Sequence, residues 1–268
     1  MQILTNLAEL RQARARMGGT VGLVPTHGNL HAGKLSLVAR ARAACDHVAV
    51  SLLPPEGLAS GDQDRDLRLL EPLAIDLVWA PSDVTAAPPD FQTWVSVEHV
   101  AAPLEGKHRP GHFRAIATQT TRLFNAFAPD RAYYGQIDAQ QLAVVRRLVR
   151  DLDFAVQIVD CPTVREPDGL AVSRHNAALS APERLAAAVL YRSLSAAQQA
   201  YAGGERDGDT LRAILSSTLA AEPLAREEYV SVAQADTLDE LQQVEPGTLL
   251  SIAARIGKVR LLDSSFVG

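Results

Sequence analysis

The sequence predicts an α/β protein: a doubly wound parallel sheet followed by a smaller α+β domain. Short apolar, β-branched runs alternate with segments of helical periodicity from residue 20 to residue 160, the pattern that lays helices on both faces of a parallel sheet. The first of these runs stops at a polar, glycine-bearing loop that opens a helix, over residues 21–37 (VGLVPTHGNLHAGKLSL). A strand–loop–helix junction of this kind turns backbone N–H groups and the positive end of a helix dipole toward an anion. After Cys161 the alternation gives way to consecutive helices and then three strands, so domains are expected at 1–161 and 162–268.

Residues 6–17 place Leu7, Leu10 and Ala13 on one helical face, and Gly18-Gly19 ends that helix. A strand over 20–25, a helix from Gly33 to Cys45 and the strand HVAVSLL over 47–53 form a βαβ unit. Pro54-Pro55-Glu56-Gly57 breaks the second strand, the polar run 61–66 leads into a helix over 66–73, and 75–80 is the next strand. The proline- and alanine-rich stretch 81–91 reads as a loop, 93–97 as a short strand and 100–104 as a helical turn. EGKHRPGHFRA, over 105–115, then sets positive charge at the start of a helix over 113–127. A strand over 131–134, the loop 135–138, a helix over 139–152 and a strand over 155–159 complete the sheet. Ligands of such sheets sit beyond the carboxyl ends of strands, here the stretches around His31, Pro54, Pro81 and Gly135. In the C-terminal part, two helices separated at Gly203-Gly204 precede strands over 228–233, 249–254 and 259–263.

A chain of 268 residues with this apolar content can bury two cores. Its net charge of −5 and the lack of any long Lys/Arg cluster argue against nucleic-acid or membrane-surface partners. Cationic residues in the glycine loop would then serve a small anion. Cys45 and Cys161 lie far apart and outside any C-x-x-C spacing, which fits buried thiols and supports neither a disulfide framework nor a zinc site. MQILTNLAELRQ has no basic region followed by an apolar one, and no run approaches the ~20 apolar residues of a membrane span; a cytoplasmic protein is expected.

Two phosphate motifs compete for the loop. Gly28 to Lys34 satisfies the first part of the P-loop pattern, but Leu35 stands where a hydroxyl should hold magnesium and Ser36 is one residue late. His31-Ala32-Gly33-Lys34 instead matches the H-x-G-H signature of nucleotidylyltransferases except at its second histidine. A plain β-turn-α connection with a solvated histidine and lysine is the third reading.

Four segments in order resemble the pantothenate synthetase family. Val24-Pro25-Thr26-His27-Gly28-Asn29-Leu30-His31-Ala32-Gly33-Lys34 is similar to its V-P-T-M-G-x-L-H-x-G-H, and Glu105 to Ala115 to its E-G-x-x-R-P-G-H-F segment. Gly135-Gln136-Ile137-Asp138-Ala139-Gln140-Gln141 resembles G-E-K-D-x-Q-Q, and Gly169 to Asn176 resembles G-L-A-x-S-S-R-N. The resemblance decides against the P-loop. It implies a Rossmann-like nucleotidylyltransferase domain with a small C-terminal lid domain, homodimerisation, and a reaction in which Mg2+-ATP and a hydroxy acid give an acyl-adenylate that an amine converts to an amide.

By the same resemblance His31 holds ATP phosphates, Thr26, His27 and Gly28 belong to the nucleotide loop, Gly135 and Asp138 take the ribose, and Val164 and Val172 flank adenine. Gln141, His112 and Arg109 line the hydroxy-acid pocket, and Asp66 aligns with the magnesium-side aspartates. The departures fall at the chemistry. Lys34 replaces the second phosphate histidine, Ile137 the motif lysine, and Ser173-Arg174-His175 stands for Ser-Ser-Arg. Leu53-Pro54-Pro55-Glu56-Gly57-Leu58 replaces N-P-x-Q-F, whose glutamine is an acid ligand, which puts the identity of the acid in doubt. Two functions follow: a ligase in which Lys34, Arg174 and His175 take over the lost contacts, or a catalytically silent paralogue that binds a ligand or partner, since losing several charged donors removes much transition-state stabilisation.

Overall fold

The computed structural model describes residues 1–53, 63–81 and 90–268. In chain order the elements are β1 (Gln2–Leu4), α1 (Leu7–Ala15), β2 (Val21–Thr26), α2 (Ala32–Ala44), β3 (His47–Leu52), α3 (Gln63–Leu70), β4 (Leu77–Trp79), α4 (Glu105–His108), α5 (His112–Phe127), β5 (Arg131–Gly135), α6 (Ala139–Asp151) and β6 (Gln157–Cys161). There follow α7 (Ala181–Ala187), α8 (Val189–Ala202), α9 (Gly208–Ala220), β7 (Ala225–Ala233), β8 (Leu249–Ile256) and β9 (Val259–Phe266). They group into two compact units. One comprises Met1–Val97, Pro110–Gly135 and Val144–Cys161; the other comprises Glu98–Arg109, Gln136–Ala143 and Pro162–Gly268.

The first unit is built on a six-stranded sheet in the order β1-β4-β3-β2-β5-β6, with every pair parallel. Its central strands are apolar on both faces because helices cover both: Val21, Leu23 and Val24 of β2 and Val48 and Val50 of β3 are buried. Leu37, Val38 and Ala41 of α2 pack with Val24, Val50, Val78 and Tyr133. Gly22 is required there, because a Cβ would lie 2.9 Å from Cys45 Sγ and 3.1 Å from the Tyr133 ring. Winding reverses between β2 and β5, so the carboxyl ends at Thr26 and Gly135 mark the position where such sheets take ligands.

The second unit carries the antiparallel sheet β7-β8-β9. Leu190 and Leu194 of α8 and Leu211, Leu215 and Leu219 of α9 bury against Val232, Leu250, Ile252 and Ile256. Ser180 and Glu183 cap α7 reciprocally. Among the described residues, no helix is long and apolar enough to cross a membrane.

The α/β architecture is the one the sequence predicts, with local corrections. β1 is an element the sequence does not suggest, and it pairs with β4 at the sheet edge through three residues. Residues 93–97 do not form a strand: the Val95 N–H donates to Thr118 Oγ1 at 2.9 Å, so a side chain of α5 supplies its acceptor. The turn at 100–104 is a 3-10 turn at His99–Ala101, and the loop after Gly135 tightens into another, Gln136–Asp138. The expectations for Pro54 to Leu58 and for most of 81–91 fall on residues 54–62 and 82–89, outside the described residues.

Candidate active site

The candidate residues fall into two groups, one in each unit. In the first unit, β2 ends at Thr26, which is 2% exposed. Its hydroxyl donates to the Ser51 carbonyl at 2.7 Å and accepts the Gly28 N–H at 3.3 Å, so it holds the loop in place. Gly28 and Asn29 both adopt left-handed backbone (φ 72° and 52°), which turns the chain and buries Leu30. The Leu30 N–H donates to Asp66 Oδ1 at 2.8 Å. Asp66 comes from α3 and is 1% exposed, and a Cβ on Gly28 would lie 3.1 Å from its other carboxylate oxygen. The aspartate is therefore a buried prop beneath the 28–31 turn.

His31 is the N-cap of α2 in extended backbone, and its carbonyl accepts the N–H groups of Lys34 (2.8 Å) and Leu35 (3.0 Å). Its side chain does not cap the helix, so α2 starts without using the imidazole. Lys34, the third residue of α2, is half-buried, while His27 is exposed. Ser36 donates its hydroxyl to the Gly33 carbonyl at 2.8 Å, as an ordinary helix serine does. His112 is half-buried at the first residue of α5, after Gly111 in left-handed backbone (φ 82°).

In the second unit, Asp138 closes the 3-10 turn that follows Gly135, itself the last residue of the first unit's β5. Gln141 is half-buried on the next helical turn. Its neighbour Gln140 is structural: it accepts the Glu105 N–H at 2.9 Å and donates to the carbonyls of Val100 (3.0 Å) and Pro103 (2.8 Å). Val164 and Val172 pair across a tight turn through Val172 N–H to Val164 C=O at 2.9 Å. Ser173 caps the turn Arg174–Ala178, and its Oγ lies 3.1 Å from His175 Nδ1. His175 is exposed as a residue, yet local desolvation and then the Arg174 charge lower its pKa, with Asp138 opposing and Arg109 and Arg260 adding to the depression. The shift favours the uncharged imidazole, and Arg174 is the permanent positive charge of this segment.

A cluster that sequence reading missed lies beside Arg109. Glu105, 6% exposed, accepts the Tyr229 hydroxyl at 2.9 Å and both Arg260 Nη atoms at 2.7 and 2.6 Å. Arg109 stands 3.9 Å from the same carboxylate, and Arg260 Nε also bonds Glu228 at 2.5 Å. Burial opposes the Glu105 charge, but the hydrogen bonds and charge of Arg260, with Tyr229 and Arg109, outweigh it and hold the carboxyl below its ordinary value. The partners lie 124 and 155 residues away, so no local pattern announces them.

A doubly wound sheet with a glycine-turned, cationic loop at the carboxyl end of its central strand belongs to the α/β enzymes that handle phosphorylated ligands. The family described as pantoate-beta-alanine ligase matches residues 2–266. Pantothenate synthetase of Roseiflexus sp. (strain RS-1) is 52% identical over 98% of both chains, and that of Heliobacterium modesticaldum 43% identical over 100% of this chain and 99% of its own. The solved pantothenate synthetase of Thermus thermophilus superposes with a TM-score of 0.91 at 40% identity, each chain covered to 99%. The pantoate-beta-alanine ligase of Francisella tularensis, solved with β-γ ATP and β-alanine, superposes at 0.78 with 27% identity over 99% of this chain and 97% of its own. The chain belongs to the pantoate-beta-alanine ligase family.

Proposed function

We propose that the chain joins pantoate and β-alanine into an amide at the expense of ATP, by way of an acyl-adenylate. The carrying observation is the 26–34 loop at the winding reversal, braced from below by Asp66, in a chain matched by the ligase family from residue 2 to residue 266. A pantoate carboxylate oxygen attacks the α-phosphorus of ATP and pyrophosphate leaves. The β-alanine amine then attacks the acyl carbon, AMP departs with the former carboxylate oxygen, and the amine proton is released. Negative charge grows on the phosphates in the first step, and fixed positive donors are what lower its barrier. At the start of α2 Lys34 supplies positive charge and His31 a ring nitrogen for the phosphates, and Arg174, with Ser173 and His175, holds the departing pyrophosphate. Asp138 after Gly135 takes the ribose hydroxyls, Val164 and Val172 flank adenine, and Thr26, His27 and Gly28 shape the nucleotide loop. Gln141, His112 and Arg109 receive the hydroxy acid.

Magnesium fits this arrangement as a companion of the triphosphate. Asp66 already accepts the Leu30 N–H, and among the described residues no group of three or more His, Cys, Asp or Glu could hold a metal. Mg2+ is commonly bound through substrate phosphates and retained waters with one or two carboxylates, and when bound it neutralises phosphate charge. Two domain roles belong to the same reading, an adenylylating role for 1–161 and a lid role for 162–268, with the difference that Glu98–Arg109 and Gln136–Ala143 group with the second compact unit; these roles, assembly as a homodimer and a cytoplasmic setting all rest on the family resemblance. A catalytically silent role finds no support, since relatives identical at about half of their positions bear the name of the enzyme. Pyrophosphate release from ATP, measured with pantoate and a panel of hydroxy acids, tests the proposal; pantoate-dependent release followed by β-alanine-dependent AMP is the expected result, and release with none of them refutes it.

A further inference from the structure

Behind the proposed nucleoside contacts of the second unit lies a buried device that the reaction does not use directly. Asp263 of β9 is 2% exposed and forms a two-pronged ion pair with Arg165, at 2.5 and 3.0 Å. Arg165 belongs to the turn between Val164 and Val172. It bridges to Ala171, donates to the Gly169 carbonyl at 3.0 Å, and lies 4.7 Å over the Tyr191 ring. Gly169 has φ +90° and a Cβ there would strike Tyr191 at 1.8 Å, so the turn closes only with glycine at this position. The next residue of β9 faces the other way in function. Ser264 gives its N–H to Asp263 Oδ1 at 2.8 Å and its hydroxyl to the Gln136 carbonyl at 2.7 Å, with the Ile137 carbonyl at 3.4 Å. Gln136 and Ile137 are the first two residues of the 3-10 turn that ends in Asp138.

We propose that Asp263 and Ser264 are positioning residues for the nucleoside of ATP: two adjacent residues of one strand fix the Val164–Val172 turn and the Asp138 turn at a set separation. The inference rests on the reading that Asp138 takes the ribose and the two valines flank adenine. A merely structural pair would, when weakened, lower kcat or stability without preference among substrates. A nucleoside clamp, when loosened, weakens ATP and leaves the acid and the amine alone.

The test uses the full chain with Ser264→Ala, Ser264→Thr and Asp138→Ala, and compares ATP with 2′,3′-dideoxy-ATP. Ser264→Ala is expected to raise KM for ATP about fivefold to tenfold, the scale of one hydrogen bond, with kcat within twofold and the KM values for pantoate and β-alanine unchanged. Ser264→Thr, which keeps the hydroxyl, should restore most of the ATP affinity and also shows that the position tolerates replacement. With dideoxy-ATP, which gives Asp138 nothing to hold, the Ser264→Ala penalty should disappear. Should Asp138→Ala abolish the preference for ATP over the dideoxy analogue while Ser264→Ala leaves KM for ATP unchanged, the positioning role is overturned and the ribose assignment stands. A wild-type preference untouched by Asp138→Ala overturns the ribose assignment and the clamp together.

Discussion

Asp66→Ala removes the acceptor of the Leu30 N–H, a 2.8 Å bond to a carboxylate that is 1% exposed, underneath the 28–31 turn. A hydrogen bond to a charged partner contributes about 1.5–3 kcal/mol, and stranding the buried N–H costs on the same scale, so a loss of about 2–3 kcal/mol is expected. At about 2–4 °C per kcal/mol for a chain of this size, Tm should fall by about 5–10 °C. Residues 28–31 must also be re-ordered before phosphate can bind, and if about 1 kcal/mol of the loss is recovered at that step, KM for ATP rises about fivefold. Asp66→Asn keeps an acceptor without the charge and should fall between. Differential scanning calorimetry and ATP titrations at two Mg2+ concentrations read both effects, and the rise in KM should not depend on Mg2+. An aspartate that instead ligates the metal predicts the reverse: unchanged Tm and an activity loss that added Mg2+ repairs. That outcome would refute the assignment of Asp66 as a loop prop.

Lys34→Ala should lower kcat for pyrophosphate release about a hundredfold or more, the scale of removing one charged transition-state donor, and Lys34→His should restore part of it; unchanged release would leave the lysine a solvated helix-start residue. Glu105 ties Tyr229 and Arg260 together with a pKa held below its ordinary 4.5, so its stabilising effect is fully present above that value and is lost as pH falls through the lower folded pKa. In urea melts the stability gap between wild type and Glu105→Gln should therefore shrink below about pH 4.5, and a gap that stays constant into that range contradicts the assignment. Gly169→Ala should destabilise the second unit markedly, because the methyl group would enter the Tyr191 ring; a thermal melt superimposable on wild type would count against the close turn.

The sheet was legible because its buried strands are continuous apolar runs between glycine- and proline-bearing breaks, as in Val21 to Thr26 and His47 to Leu52. β1 is not legible because three residues at an edge, with Ile3 46% exposed, leave no periodicity to read. The strand expected at 93–97 failed for the opposite reason: β-branched composition suits a strand, but the Thr118 hydroxyl supplies Val95's backbone bond. At the site, the loop residues could be read because strand, glycine turn and helix start are contiguous. What holds them was hidden. Asp66 reaches Leu30 across 36 residues, Arg165 reaches Asp263 across 98 and Glu105 reaches Arg260 across 155. Spacing on one helix or strand carries no trace of such pairings, which only tertiary packing creates. Gln140 and Gln141 look equivalent in sequence, yet the first is consumed by Glu105, Val100 and Pro103, and only the second remains a candidate for substrate.

The central claim, that the carboxylate is activated as an adenylate, is tested most directly by following its oxygen. Pantoate labelled with 18O in the carboxylate, incubated with the protein, ATP, Mg2+ and β-alanine, should place one labelled oxygen in the phosphate of AMP and leave the other in the amide carbonyl of the product. Label appearing in orthophosphate alongside ADP, or AMP formed without label, would contradict the account.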